Sequence, residues 1–253
     1  TIRRFNRQLL AAEDLLASGT LSPAMLAFLR LCVESRRNIV VSGGTGAGKT
    51  TLLNLLADSI GASERVITIE DAAELRLRHR NLVSLEARPA NAEGRGLVSI
   101  RDLLRNALRM RPDRIVIGEC RGGEALDMLQ AMNTGHDGSI TTVHANSPRD
   151  ALSRIEVMAL MSGVDIPLQA VREQIAAAVD VVVQQARMPD GGRKVIEITE
   201  VSGIESGRIL MQTIFRFDPA TGAHIATGQT PHFLDSFHPE KAAASLRLLG
   251  ESA

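Results

Sequence analysis

Asn38-Ile39-Val40-Val41-Ser42-Gly43-Gly44-Thr45-Gly46-Ala47-Gly48-Lys49-Thr50-Thr51 runs from an apolar, β-branched stretch through a glycine-rich loop into the helix-forming Leu52-Leu53-Asn54-Leu55-Leu56. Gly43 to Thr50 fits the spacing G-x-x-x-x-G-K-[ST], and its place between a strand and a helix gives that spacing its meaning. Glycines let backbone N–H groups curl around phosphate oxygens without Cβ clashes, and the helix beginning near Lys49 points its positive end at the same anion. The loop therefore predicts a nucleoside triphosphate site. Gly43, Gly44, Thr45, Gly46, Ala47, Gly48, Lys49, Thr50 and Thr51 form its cradle, Lys49 reaches the β- and γ-phosphates, and the Thr50 hydroxyl meets Mg2+.

Outward from the loop, apolar runs and helical patterns alternate. Strands are expected at Asn38–Ser42, Arg65–Ile69, Asn81–Leu85, Arg114–Ile117 and Ser139–Val143. Helices are expected at Pro23–Val33, Lys49–Ser59, Ile100–Met110, Gly123–Met132, Pro148–Met161 and Pro167–Ala178. Continuous β-branched runs such as Ile115-Val116-Ile117 belong to strands buried on both faces, so the fold class is α/β with a mostly parallel, doubly wound sheet. After residue 180 the pattern turns to strands at Val181–Val183, Lys194–Val201 and Ile209–Phe217, with a turn at Pro189-Asp190-Gly191-Gly192 and a final helix at Pro239–Leu249. This predicts a small antiparallel β appendage and a C-terminal helix over residues 181–253, behind a phosphate-loop core at 21–180 and a leading segment at 1–20.

Ligands of such sheets sit at the carboxyl ends of the strands. Four chemically special features fall there: the glycine loop after Val41, Glu70 after Ile69, Glu119 after Ile117 and His144 after Val143. Phosphoryl transfer needs an acid near the metal, a group that orients water, a contact for the terminal phosphate and positive charge for the transition state. Glu119 is assigned to the Mg2+ shell, although Asp is the usual residue there. Glu70, followed by Asp71, is the general base or water-positioning residue, and His144 reaches the terminal phosphate. His136 is a weaker candidate. Arg101, Arg105, Arg109, Arg111 and Arg114 are dense; a solvated helix face accounts for such a run, and an arginine serving a neighbouring subunit's nucleotide is the functional alternative.

Bulk composition narrows the partners. No apolar run reaches the ~18 residues of a membrane span. Cys32 and Cys120 lack CxxC spacing, so both are read as inert thiols of a reducing cytosol. Formal net charge is zero and aromatic residues are 2%, with neither Trp nor Tyr, which argues against a phosphate-backbone clamp and base-stacking platforms; nucleic acid is not expected as a partner.

The run Arg109-Met110-Arg111-Pro112-Asp113-Arg114-Ile115-Val116-Ile117-Gly118-Glu119-Cys120-Arg121-Gly122-Gly123-Glu124-Ala125 resembles the type II/type IV secretion ATPases. So do Met128-Leu129-Gln130-Ala131-Met132-Asn133-Thr134-Gly135-His136 and Thr142-Val143-His144-Ala145-Asn146-Ser147-Pro148, and the chain from Ile2 to Phe215 is most similar to the CpaF branch, the Tad pilus assembly motors. The resemblance implies a RecA-like P-loop domain and ATP with Mg2+ as cofactors. Glu70 becomes the catalytic glutamate, Gly118-Glu119 an atypical Walker B and His144 the end of the His box; Arg109 resembles a phosphate-contacting arginine. It also implies a homo-hexamer at the cytoplasmic face of the inner membrane, associated with that membrane through a platform protein. The stretch around Arg3-Arg4-Phe5 resembles the linker that follows a further N-terminal domain and covers the nucleotide. The tetracysteine zinc site of some pilus-extension relatives has no counterpart here, so no structural metal is expected. Two readings stay open beside the pilus motor: a conjugation-type type IV secretion ATPase, and an ATP-binding scaffold or switch with negligible turnover.

Overall fold

The computed structural model describes residues 10–237. Helices α1 (Ala12–Ala17) and α2 (Pro23–Glu34) lead into β1 (Ile39–Gly43) and α3 (Lys49–Ala57). There follow β2 (Val66–Glu70), β3 (Leu82–Glu86), α4 (Ile100–Ala107), β4 (Arg114–Ile117), α5 (Glu124–Asn133), β5 (Ile140–Val143), α6 (Pro148–Leu160) and α7 (Leu168–Ala178). The chain continues with β6 (Val181–Arg187), β7 (Arg193–Glu205), β8 (Arg208–Asp218) and β9 (Ala223–Ala226), and a short 3-10 turn covers His232–Ser236. Nine strands form one sheet in the order β3-β2-β4-β5-β1-β6-β7-β8-β9.

Strand alternation explains the layers. Ile39 and Val41 face a core built with α1, α2 and α3, while Val40 between them faces the core of α4 to α7. β6 repeats this, with Val181 and Val183 on the first face and Val182 on the second. Both faces are buried, as a parallel sheet requires.

Local chemistry starts the helices. Ser22 caps α2 by accepting the Met25 N–H at 3.2 Å ahead of Pro23, and Ser147 caps α6 by accepting that of Asp150 at 3.1 Å ahead of Pro148. Ser99 and Asp102 form a reciprocal box at α4. α3 has only Gly48 at that place, at φ 102° and with no side-chain cap. Its first N–H groups are left for an anion.

Several expectations need correction. β6, read with the antiparallel appendage, is parallel to β1, pairing Ile39 with Val181 through Gly43 with Gln185. Only β7, β8 and β9 are antiparallel, and they extend the same sheet, so the boundary expected near residue 180 falls inside continuous hydrogen bonding. Helix α4 stops at Ala107, tightens into a 3-10 turn over Leu108–Met110 and ends with Arg111 at φ 52°. α1 and β9 were not anticipated, being six and four residues long and carrying too little periodicity. The helix expected at Pro239–Leu249 and the linker residues around Arg3, Arg4 and Phe5 lie outside the described residues. Among the described residues no helix is long and apolar enough to cross a membrane.

Candidate nucleotide-binding site

The phosphate loop leaves β1 at Gly43, where the neighbouring strand dictates glycine: a Cβ there would lie 2.4 Å from the Gln185 carbonyl oxygen of β6. Gly46 and Gly48 take φ 72° and 102°, the left-handed region that L side chains rarely enter. Lys49 folds back on the loop, its ammonium donating to the carbonyls of Gly43 at 2.9 Å and Gly44 at 3.1 Å. Burial pulls its pKa below the usual lysine value, against the opposing pull of Glu119. Thr50 and Thr51 sit half-buried in the first turn of α3. The cleft over the loop holds about 740 Å³, within the ordinary range for a small-molecule site, and is lined by Asp14 of α1, Thr45, Lys49, Thr50, Gln185 and Arg193 among others.

Strand order brings the remaining groups to this edge. β2, β4, β5 and β1 are consecutive and parallel, so Glu70, Glu119, His144 and the loop emerge side by side at their carboxyl ends. Glu70 is 5% exposed, and its Oε1 accepts the backbone N–H of Glu74 at 3.0 Å and of Leu75 at 2.9 Å. Burial raises its pKa above the usual carboxylate value, the two backbone donors oppose that, and the carboxylates of Glu74 and Glu86 add to the rise. Gly118 makes room for it, since a Cβ there would stand 2.9 Å from Glu70 Cγ. Glu119 is held by the neighbouring strand β5: the Thr142 hydroxyl donates to the Gly118 carbonyl at 2.7 Å and the Cys120 N–H to the Thr142 carbonyl at 2.9 Å. Its carboxylate pairs with Arg121 at 2.6 Å, and the same guanidinium lies 3.4 Å from Asp71. His144 is half-buried directly after β5.

The arginine run is divided by the structure. Arg101 and Arg105 both grip Asp127, at 2.6 and 2.8 Å, and Arg114 is buried against Glu64 at 2.7 Å. Arg109 is exposed in the 3-10 turn ahead of β4, at the amino end of the sheet, and its Nη1 donates to the Arg105 carbonyl at 3.3 Å. The chain therefore does not bring its own Arg109 to its own phosphate loop. His136 also lies at the amino edge, its ring nitrogen Nδ1 3.3 Å from the Ala131 carbonyl at the end of α5. Both free cysteines are buried, and burial pushes their thiols well above the usual range.

Sequence reasoning missed Arg121, Gln185 and Arg193. Arg121 stood inside a quoted motif without a role. Gln185 and Arg193 carried no local signal, because only the parallel pairing of β6 with β1 delivers them to the loop. The donor set suits a hard cation: the Thr50 hydroxyl and Glu119 carboxylate are oxygen ligands of the kind Mg2+ takes, and the uncapped start of α3 suits the phosphates beside it.

The fold is RecA-like, a phosphate-loop core with acidic strand ends. The chain belongs to the Type II/IV secretion system protein family, whose profile matches residues 1–203. A Mycobacterium tuberculosis protein named for conjugal transfer is 47% identical over 211 residues, covering 82% of this chain and 59% of that protein. Among solved structures, the VirB11 ATPase of the Brucella suis type IV secretion system, in complex with sulphate, superposes with a TM-score of 0.63 at 36% identity, over 78% of this chain and 66% of that one. The pilus retraction motor PilT with bound ADP gives a TM-score of 0.59 at 27% identity, over 78% and 54%. This chain thus spans only part of the length of its relatives.

Proposed function

We propose that this chain is the ATP-hydrolysing module of a ring-shaped motor that powers secretion or pilus assembly, of the CpaF type. The observation that carries the reading is the meeting of an uncapped, glycine-lined helix start at Lys49 with Glu70, Glu119 and His144 on adjoining parallel strands. The family membership supports it, as do the sulphate and ADP named with its structural relatives.

Lys49 leaves the Gly43 and Gly44 carbonyls and turns its charge onto the β- and γ-phosphates. Thr50 and Glu119 would hold Mg2+, with Glu119 giving up its pairing with Arg121 to do so. When bound, the ion neutralises phosphate charge. A water attacking the γ-phosphorus, in line with the departing β-phosphate oxygen, gives its proton to Glu70; the raised pKa of that carboxyl makes it a stronger base than an exposed glutamate. His144 hydrogen-bonds the terminal phosphate. Arg109, exposed and far from its own loop, is available to the nucleotide of a neighbour in a homo-hexamer. An inner-membrane platform protein receives the motion at the cytoplasmic face.

The test is a pair of variants assayed for MgATP binding and phosphate release. Lys49→Ala loses both, whereas Glu70→Gln keeps wild-type affinity and loses release, because it acts only in the transition state. Wild-type release from Lys49→Ala would refute the site. Tight binding with no release from the wild type would instead make the chain a nucleotide-gated scaffold.

A further inference from the structure

Arg193 opens β7 beside the phosphate loop, on the turn that joins it to β6. Its Nε–H donates to the Gly46 carbonyl at 3.1 Å, and its Cδ would lie 3.2 Å from a Cβ at Gly48. Gln185 closes on the same glycine, with Nε2 2.9 Å from that position. The Gly48 side of the loop is therefore walled by β6 and β7.

The backbone at Arg193 is anchored by its successors. Lys194 donates to the Gly19 carbonyl at 2.6 Å and the Ser18 carbonyl at 3.3 Å, and the Val195 N–H donates to the Thr20 carbonyl at 2.7 Å. Among the described residues no carboxylate pairs with the Arg193 guanidinium, which lines the same cleft as Thr45, Lys49 and Thr50. A planar fork of N–H donors matches phosphate oxygens two at a time.

We infer that Arg193 is a phosphate-binding and loop-positioning residue supplied by the same chain. One edge of the guanidinium holds the Gly46 carbonyl away from the cleft, which turns the following N–H groups inward. The remaining donors meet the outer phosphates of the nucleotide. The inference rests on the nucleotide reading above and extends it: the β6–β7 hairpin is part of the site rather than an accessory beyond it.

The experiment titrates the fluorescent analogue mant-ADP into wild type, Lys49→Ala, Arg193→Ala, Arg193→Gln and Arg193→Lys, in Mg2+ and in EDTA, and records the melting temperature of each nucleotide-free protein. Arg193→Ala is expected to weaken binding about tenfold with or without the metal, the scale of one charge-assisted hydrogen bond at a partly exposed site. Its nucleotide-free melting temperature stays at the wild-type value, since the side chain is exposed. Arg193→Lys keeps the charge but not the fork, so it recovers only part of the affinity and falls between wild type and the alanine variant. Arg193→Gln keeps a donor for the Gly46 carbonyl without the charge, and it binds as weakly as the alanine variant. Wild-type affinity in Arg193→Ala or Arg193→Gln, with Lys49→Ala defective, overturns the inference and leaves the proposed function standing. Failure of the wild type to bind at all removes the proposed function and this inference with it.

Discussion

Glu70 shows how one side chain can be useful in chemistry and costly in stability. Burial raises its folded-state pKa, so the unfolded chain gives up this proton at lower pH than the folded one does. Below the ordinary glutamate pKa both states are protonated and nothing is lost; as pH rises through the folded pKa, the ionised carboxylate destabilises the native state. Glu70→Gln keeps an oxygen for the Glu74 and Leu75 N–H donors while removing the charge. It should melt above wild type at pH 8, with the gap closing towards pH 4; a gap that is constant with pH would show that Glu70 ionisation carries no such cost. Gly118→Ala makes a complementary case, because its Cβ would press on Glu70 Cγ at 2.9 Å. Phosphate release should fall at least tenfold while mant-ADP affinity holds, and unchanged release would mean that the position of Glu70 does not matter. Glycine spacing and acidic strand ends were legible because each is a local rule: a loop that must bend, a strand that must end. Arg121 was not, since its partners Glu119 and Asp71 come together only when β4 lies beside β2.

Elements are joined at the amino edge by a buried arginine. Arg114 of β4 donates to Glu64 ahead of β2, to the Val33 carbonyl of α2 and to the Gly138 carbonyl ahead of β5, while being 1% exposed. Burial works against Glu64 ionisation, but Arg114 and Arg36 hold its carboxyl below the usual range. The pairing therefore contributes fully above the ordinary glutamate pKa and is lost as pH falls through the lowered folded value. Glu64→Gln strands a buried guanidinium, which costs on the order of 3 kcal/mol in urea unfolding at pH 7. A cost under about 1 kcal/mol, the range of an exposed pair, would show that Arg114 is satisfied by the carbonyls alone. Apart from α1, the alternation of strands and helices was readable up to residue 180, where β-branched runs mark strands and serine caps start α2, α4 and α6. Beyond it the strands were found but the direction of β6 was not, because direction is set by the α7 crossover and by pairing with β1, 142 positions upstream at the Ile39–Val181 register. That single misreading also hid Gln185 and Arg193 from the site.

For the whole molecule, the proposed ring would let Arg109, exposed in the turn ahead of β4, act on the nucleotide of a neighbouring copy. A Lys49→Ala chain with intact arginines and an Arg109→Ala chain with an intact loop should restore activity when mixed, because each supplies what its neighbour lacks. Activity equal to the sum of the two variants, in mixed rings of demonstrated composition, would remove Arg109 from the reaction of the neighbouring subunit. Closed rings use a heterologous contact repeated around one axis, so assembly and turnover rise together with concentration. The sequence's resemblance implied the ring, and nothing in a single chain's periodicity could have done so. The most direct measurement is steady-state phosphate release from MgATP by the purified protein over a wide range of its own concentration, beside Lys49→Ala. Release per chain that climbs with concentration and vanishes in Lys49→Ala is the predicted result; no release at concentrations where rings form, or release that survives the loss of Lys49, would contradict it.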